Sequence, residues 1–156
     1  MSKAFTREND DGGLAQPAAR TRAAVGPVTP LGARLARERL AEVSARLEHA
    51  GRSEERAVLE VERERVAAVA SAPVGSTAGA GDAVAFGAQV NLRDAAGKER
   101  VVVVASTGEI GLVPHAASTT SPIARALLGA HPGDVVEFDG PRGHEELTIV
   151  TVQFPT

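Results

Sequence analysis

The sequence predicts an α+β fold, in which an antiparallel helical hairpin (a short coiled coil) precedes an antiparallel sheet with one short helix. Apolar residues within 28–72 alternate between spacings of four and three, which is typical of one seam of a coiled coil. Residues 84–156 instead contain short Val-rich runs separated by turn signals. Between these blocks, residues 71–83 are rich in Ser, Pro, Gly and Ala. We therefore predict a disordered tail at 1–27, the hairpin at 28–72, a linker at 73–83 and the sheet domain at 84–156.

The first helix of the hairpin is predicted to begin at Pro30, because Thr29 is a good N-cap and proline suits the first helical position. Gly51 ends this helix, and Ser53 is the predicted cap of the second. Glu62 interrupts the apolar seam of the second helix. The seam residues are Ala36, Leu40, Val43, Leu47 and Ala50 in the first helix and Leu59, Val66 and Val69 in the second.

The sheet domain is predicted to begin with strands Val84–Leu92 and Glu99–Ala105, because apolar residues alternate in the first and valines fill the second. Glu109–Val113 is the candidate third strand. Asp134–Asp139 and Glu145–Phe154 then form a hairpin across a turn that contains two glycines and a proline.

A short helix at Pro122–Leu128 separates the third strand from this hairpin. Ser121 is its predicted N-cap and Gly129 its stop. We expect Leu127 and Leu128 to pack the helix on the sheet.

Composition excludes several classes of function. The 156 residues contain no Cys, which excludes disulfides, thiol catalysis and Cys-based zinc sites. A net charge of −3 and four Phe without Tyr or Trp argue against stable direct binding of nucleic acid. The sequence has neither an apolar run of about 18 residues nor a secretory signal, so we expect a cytoplasmic protein without membrane contact.

The residues give little indication of catalysis, a metal or a cofactor. The four histidines never lie three or four positions apart, and no Ser stands in a G-x-S-x-G elbow. Gly79-Ala80-Gly81 lacks the preceding strand and the third glycine of a dinucleotide loop. From spacing alone, we predict a non-enzymatic protein without cofactor or metal.

Several motifs together resemble the bacterial Gre family of transcription elongation factors. Ser121-Pro122-Ile123-Ala124-Arg125-Ala126-Leu127-Leu128-Gly129, followed by Gly133-Asp134, looks like the signature of that family. The stretch from Phe86 to Glu99 resembles the first hairpin of the family's C-terminal domain. Thr29-Pro30-x-Gly32-x-x-x-Leu35-x-x-Glu38 resembles the opening of its coiled-coil helix, and residues 1–8 are similar to the start of one subgroup.

This resemblance implies an FKBP-like C-terminal domain that docks on RNA polymerase at the rim of the secondary channel. It implies docking residues at Ser121, Pro122 and Ile123, and a monomeric regulator. In the family, the coiled coil enters the channel, and two carboxylates at its tip help to hold a catalytic Mg²⁺ in the polymerase's own active site. Such a factor donates metal ligands and is not an enzyme by itself.

The sequence departs from the family pattern at the hairpin tip. The acidic stretch is absent, and the turn offers only Glu54 and Glu55 as weak candidates for the catalytic carboxylates. A first helix over residues 30–50 would extend only about 30 Å. Our first hypothesis is therefore a polymerase-binding regulator without efficient cleavage stimulation. The alternatives are an active cleavage factor that uses Glu54 and Glu55, and an FKBP-like prolyl isomerase, whose aromatic-lined pocket fits poorly with four Phe.

Overall fold

A computed structural model of the protein describes residues 26–52, 54–76 and 81–156. The predicted tail up to residue 25, the predicted cap Ser53 and linker residues 77–80 lie outside the described residues. Helices precede strands along the chain, which confirms the α+β prediction. The elements are α1 (Pro30–His49), α2 (Glu54–Ala70), β1 (Gln89–Asp94), β2 (Glu99–Ala105), a 3₁₀ turn (Thr107–Glu109), β3 (Ala116–Ser118), α3 (Pro122–Leu127), β4 (Val135–Gly140) and β5 (Gly143–Gln153).

The two long helices form the predicted antiparallel hairpin. Thr29 caps α1, with its hydroxyl accepting a hydrogen bond from the Gly32 N–H at 2.9 Å. The seam is buried in two clusters. One near the tip contains Val43, Leu47 and Leu59, and one near the base contains Val28, Ala33, Ala36, Val66 and Val69.

Glu62, which interrupts the seam, is used for an ion pair across the hairpin. Its Oε1 lies 2.6 Å from Nη2 of Arg39 and accepts a hydrogen bond from Nε at 2.7 Å. These bonds from Glu62, together with one from Glu42, raise the pKa of Arg39 above its ordinary value. Glu62 therefore destabilises the hairpin little, because its charge is paired with Arg39 where the seam is open to solvent.

The sheet has five strands in the order β3-β2-β1-β5-β4. β1 pairs antiparallel with β2 and β5, and β4 pairs antiparallel with β5. β3 is parallel to β2, so the sheet is mixed and the expectation of a purely antiparallel sheet is corrected.

The predicted third strand at Glu109–Val113 is wrong in position. The Glu109 carbonyl accepts hydrogen bonds from the N–H groups of both Leu112 and Val113, so this segment turns back on itself. Gly111 supports the turn with a φ of +82°. The third strand is instead Ala116–Ser118, a few residues further along the chain.

The first strand begins five residues later than predicted. Val84 exchanges backbone hydrogen bonds with Gly129 and Ala130 beyond α3, and Gly87 turns the chain with a φ of +86° before β1 starts. The alternation that predicted the strand is nevertheless confirmed, because Ala88, Val90 and Leu92 are all fully buried. They join the core formed by the sheet and α3.

The base of the hairpin lies against the sheet domain. On the linker side, Val28 is fully buried, and its N–H donates to the carbonyl of Pro73. The carbonyl of Val28 accepts a hydrogen bond from the N–H of Gly75, which is also in the linker. Leu112 of the sheet domain packs against the base cluster, and Nη2 of Arg65 donates to the Ile110 carbonyl at 2.5 Å. The two parts of the protein are thus joined by direct contacts as well as by the linker.

Candidate functional site

The start of α3 is fixed by its cap. The Ser121 hydroxyl accepts a hydrogen bond from the Ala124 N–H at 3.3 Å and donates to the Ser118 carbonyl at 2.6 Å. Pro122 occupies the first helical position, where its missing N–H leaves no partner unsatisfied. Because Ser118 ends β3, an edge strand, this cap holds the beginning of α3 against the edge of the sheet.

The predicted docking residues differ in exposure. Pro122 is exposed, Ser121 is half-buried, and Ile123 is half-buried with part of its side chain against the core. The short helix therefore presents a rigid proline to solvent beside an isoleucine that also serves the fold. A backbone held by a cap on one side and a proline ring on the other is a suitable anchor for a partner.

Only one of the two leucines expected to pack α3 on the sheet does so. Leu127 is fully buried, whereas Leu128 is 40% exposed, and the expectation for Leu128 is corrected. Leu128 is the C-cap residue, with φ −56° and ψ 126°, so the chain has left the helical path and its side chain no longer follows the buried face. The helix consequently exposes apolar atoms at both of its ends.

The hairpin tip carries the candidate carboxylates in the first turn of α2. Glu55 pairs with Arg46 of α1 at 3.3 Å. The neighbouring Arg56 donates to the carbonyls of Leu47 and Ala50, at 3.2 and 3.1 Å, and so satisfies the end of α1. Adjacent residues of a helix point about 100° apart. Glu54 and Glu55 are therefore not a converging pair, and one of the two is already occupied by a cation.

Metal binding by the chain itself has no support in the part of the chain that the structure describes. There, no group of three or more His, Cys, Asp or Glu side chains lies close enough together to hold an ion. Within those same residues, no helix has the length and apolar character needed to cross a bilayer.

Sequence reasoning missed Glu109, which it assigned to a strand. The residue is 0% exposed and lies where the hairpin meets the sheet domain. Its Oε1 accepts from the Thr29 N–H at 2.8 Å, and its Oε2 accepts from the Ser106 N–H at 2.7 Å. The spacing Ser106-x-x-Glu109 is that of a capping box and was the available signal for the local half of these contacts.

Fold and site together define a two-part protein, in which a sheet domain with a proline-started edge helix carries a helical hairpin. Residues 79–154 match the family model described as transcription elongation factor GreA/GreB, C-terminal domain. This domain is therefore similar to the C-terminal domain of the Gre-type factors, and the matched residues make up just under half of the chain.

Curated relatives are similar over the same region. GreA of Thioalkalivibrio sulfidiphilus is 40% identical over 80 residues, which are 51% of this chain and 51% of the relative. GreB of Neisseria meningitidis serogroup A is 38% identical over 73 residues, 47% of this chain and 45% of the relative. The chain thus spans about half the length of these relatives.

Two further comparisons extend into the hairpin. The transcription inhibitor protein Gfh1 of Thermus aquaticus is 34% identical over 102 residues, 64% of this chain and 65% of the relative. A solved structure of the transcription factor Gfh1 is 28% identical and covers 82% of this chain and 97% of its own, with a TM-score of 0.43.

Proposed function

We propose that this protein is a Gre-type regulator that binds RNA polymerase at the rim of the secondary channel and modulates transcription without efficiently stimulating transcript cleavage. The observation that carries the proposal is the capped start of α3. There, Ser121, Pro122 and Ile123 begin the stretch that resembles the family signature, in a domain that matches the GreA/GreB C-terminal model, and Pro122 is exposed. In this proposal the sheet domain docks as a monomer and points the hairpin into the channel entrance. The cell compartment would be the cytoplasm, where the polymerase is found.

The tip of the hairpin supports the absence of efficient cleavage. Two carboxylates would have to reach the polymerase metal together, because Mg²⁺ takes oxygen ligands in a strict octahedral geometry. Here Glu55 is bound to Arg46, and Glu54 points in a different direction. With 20 residues, α1 is also only about 30 Å long. One relative, from Thermus aquaticus, is named a transcription inhibitor protein, which supports a regulatory role for the chain.

The alternative is an active cleavage factor that donates Glu54 and Glu55 to the polymerase active site. One observation favours it: both side chains are exposed in the first turn of α2, at the far end of the hairpin. An ion pair on the protein surface is weak, so Arg46 could release Glu55 to a metal ion.

A backtracked elongation complex distinguishes the two functions. We expect the protein to be retained by core RNA polymerase in a pull-down and, at saturation, to leave the rate of RNA cleavage unchanged. It should nevertheless compete with a full-length Gre factor and slow the cleavage that this factor stimulates. Stimulated cleavage that is lost in the double variant Glu54→Ala, Glu55→Ala would establish the alternative. The double variant Glu137→Ala, Glu146→Ala, which changes two exposed carboxylates of the sheet domain, is the matched control.

A prolyl isomerase would give different results in an isomerisation assay and in the pull-down. Such a protein would accelerate the isomerisation of a proline-containing peptide and would not be retained by polymerase. We expect no acceleration, because the sheet domain matches a transcription factor family and the chain has no Tyr or Trp to line the pocket.

A further inference from the structure

Glu109 places a fully buried carboxylate at the junction of the two parts of the protein. Oε1 is directed toward the hairpin, where it accepts hydrogen bonds from the N–H and the hydroxyl of Thr29. Oε2 is directed toward the sheet domain, where it accepts from the N–H of Ser106 at 2.7 Å and from its hydroxyl at 2.9 Å. Each oxygen therefore binds one part of the molecule through two donors.

Gly32 completes this arrangement from the first turn of α1. A Cβ atom at this position would lie 1.8 Å from Oε1 of Glu109 and 2.7 Å from its carboxyl carbon. Glycine is a poor helix former, since its backbone loses more freedom than that of other residues. Its presence here is explained by the close approach of the carboxylate, which would have to shift to make room for a Cβ atom.

The apolar contacts at the same junction do not set a direction by themselves. Leu112 packs against the base cluster of the hairpin, but apolar contact is not directional and tolerates rotation. Hydrogen bonds to a buried carboxylate are directional, and breaking one leaves a buried group unsatisfied. Arg65 also donates to the Ile110 carbonyl across this junction, but that hydrogen bond is exposed to solvent. The carboxylate is thus the buried directional element of the junction that distinguishes one orientation of the hairpin from others.

We propose that Thr29, Gly32 and Glu109 form a latch that fixes the direction of the helical hairpin relative to the sheet domain. The latch is a property of the free protein. Its consequence rests on the proposed function, because the direction of the hairpin decides whether its tip enters the channel once the sheet domain has docked. Glu109 is a positioning residue in this scheme, since it acts through the orientation of the hairpin and not by contact with the polymerase.

The latch is testable by measuring a distance between the two parts. Because the chain has no native Cys, the exposed residues Glu48 on α1 and Lys98 in the β1–β2 turn can be changed to Cys and spin-labelled. Double electron–electron resonance, which measures the distance between the two spin labels, should give one narrow distance distribution for the parent. In Gly32→Ala and Glu109→Gln, we expect a second maximum, with the reoriented population increased by roughly 5–150-fold, the range typical of such coupling.

Matched variants separate the latch from a general loss of stability. Gly51→Ala adds the same methyl group where nothing lies within 4 Å, and should keep the parent distribution. Thr29→Ser retains the hydroxyl and should also show the parent distance distribution. Thr29→Val removes the hydroxyl and should show a second maximum. A residue that only stabilised the fold would lower the unfolding midpoint without moving the distance.

An unchanged distance distribution in Gly32→Ala would overturn the proposal. This variant is decisive even if Glu109→Gln fails to fold, because alanine favours the helix and removes no hydrogen-bonding group. The measurement uses the free protein, so its outcome is independent of polymerase binding. A failed pull-down would count against the proposed function and leave the latch standing.

Discussion

Pro122 and Leu128 are apolar residues at the two ends of α3, and both are exposed, whereas Leu127 is fully buried. In the proposed function, the exposed, rigid proline serves binding, whereas burial of the leucine stabilises the fold. The two roles therefore fall on different residues of one six-residue helix. Single substitutions can separate them.

Pro122→Ala should weaken polymerase binding by roughly tenfold, the effect of an interface residue worth about 1.4 kcal/mol. The fold should be unaffected, because the Ser121 cap remains and alanine is accepted at the first helical position. Affinity for core polymerase and the thermal midpoint are the measurements. Val150→Ala, an exposed apolar truncation on β5, is the control. An affinity equal to that of the parent would remove Pro122 from the docking site.

Leu127→Ala should lower the free energy of unfolding by about 2–5 kcal/mol, since it leaves a cavity in the core. Leu128→Ala should change it by about 0.5 kcal/mol or less, because the residue is 40% exposed at the end of the helix and leaves no enclosed cavity. Urea denaturation followed by circular dichroism measures both. Equal losses in the two variants would show that Leu128 is buried in solution.

At the scale of elements, the hairpin depends on a narrow seam. Leu59 is 3% exposed between the helices, while its neighbour Val58 is 65% exposed. We expect Leu59→Ala to destabilise the protein by about 2–5 kcal/mol. Val58→Ala should be neutral or slightly stabilising, because alanine has the higher helix propensity. A substantial loss from Val58→Ala would mean that α2 packs through a different face.

The hairpin of β4 and β5 carries a titratable pair. A hydrogen bond between Nδ1 of His144 and Oδ1 of Asp139, at 3.1 Å, raises the pKa of His144 above its ordinary value of 6.5. The raised pKa means that this pairing contributes its full stabilisation below the unfolded value of 6.5. The contribution is lost as the pH rises through the higher, folded value.

Nuclear magnetic resonance titration of His144 tests this pair. The midpoint of the parent should lie above 6.5, and Asp139→Asn should lower it. Glu99→Gln, an exposed change on β2, should leave it unchanged. A midpoint that does not respond to Asp139→Asn would assign the shift to another group.

At the scale of the whole molecule, the hairpin and the sheet share a cluster at the hairpin base, to which the sheet domain contributes Leu112. We therefore predict that both parts unfold in one cooperative transition. Native-state hydrogen exchange should give the buried amides of α1 and those of β2 and β5 the same free energy of opening. Exchange of α1 amides through an opening of clearly lower free energy would show that the hairpin unfolds independently.

The elements that sequence reasoning located well are those with local signals. β2 was predicted at its observed bounds, and the caps Thr29 and Ser121 hold the helix starts as expected. Candidate docking residues could be proposed from the sequence because they lie within one contiguous motif. The domain boundaries stay predictions. The role of Ser121, Pro122 and Ile123 in binding also stays a prediction, since it depends on a partner.

The sequence by itself determined the two helices, the apolar seam and the capped start of α3, because caps and periodic patterns act over a few residues. Only the tertiary structure decided the position of β3 and the burial of Glu109. The hydrogen bond between Thr29 and Glu109 joins residues 80 positions apart. Its geometry depends on how the hairpin meets the sheet, and no local pattern encodes that arrangement. A charged residue in a turn is ordinarily left in water, and here the donors of two distant segments instead provide its hydrogen bonds.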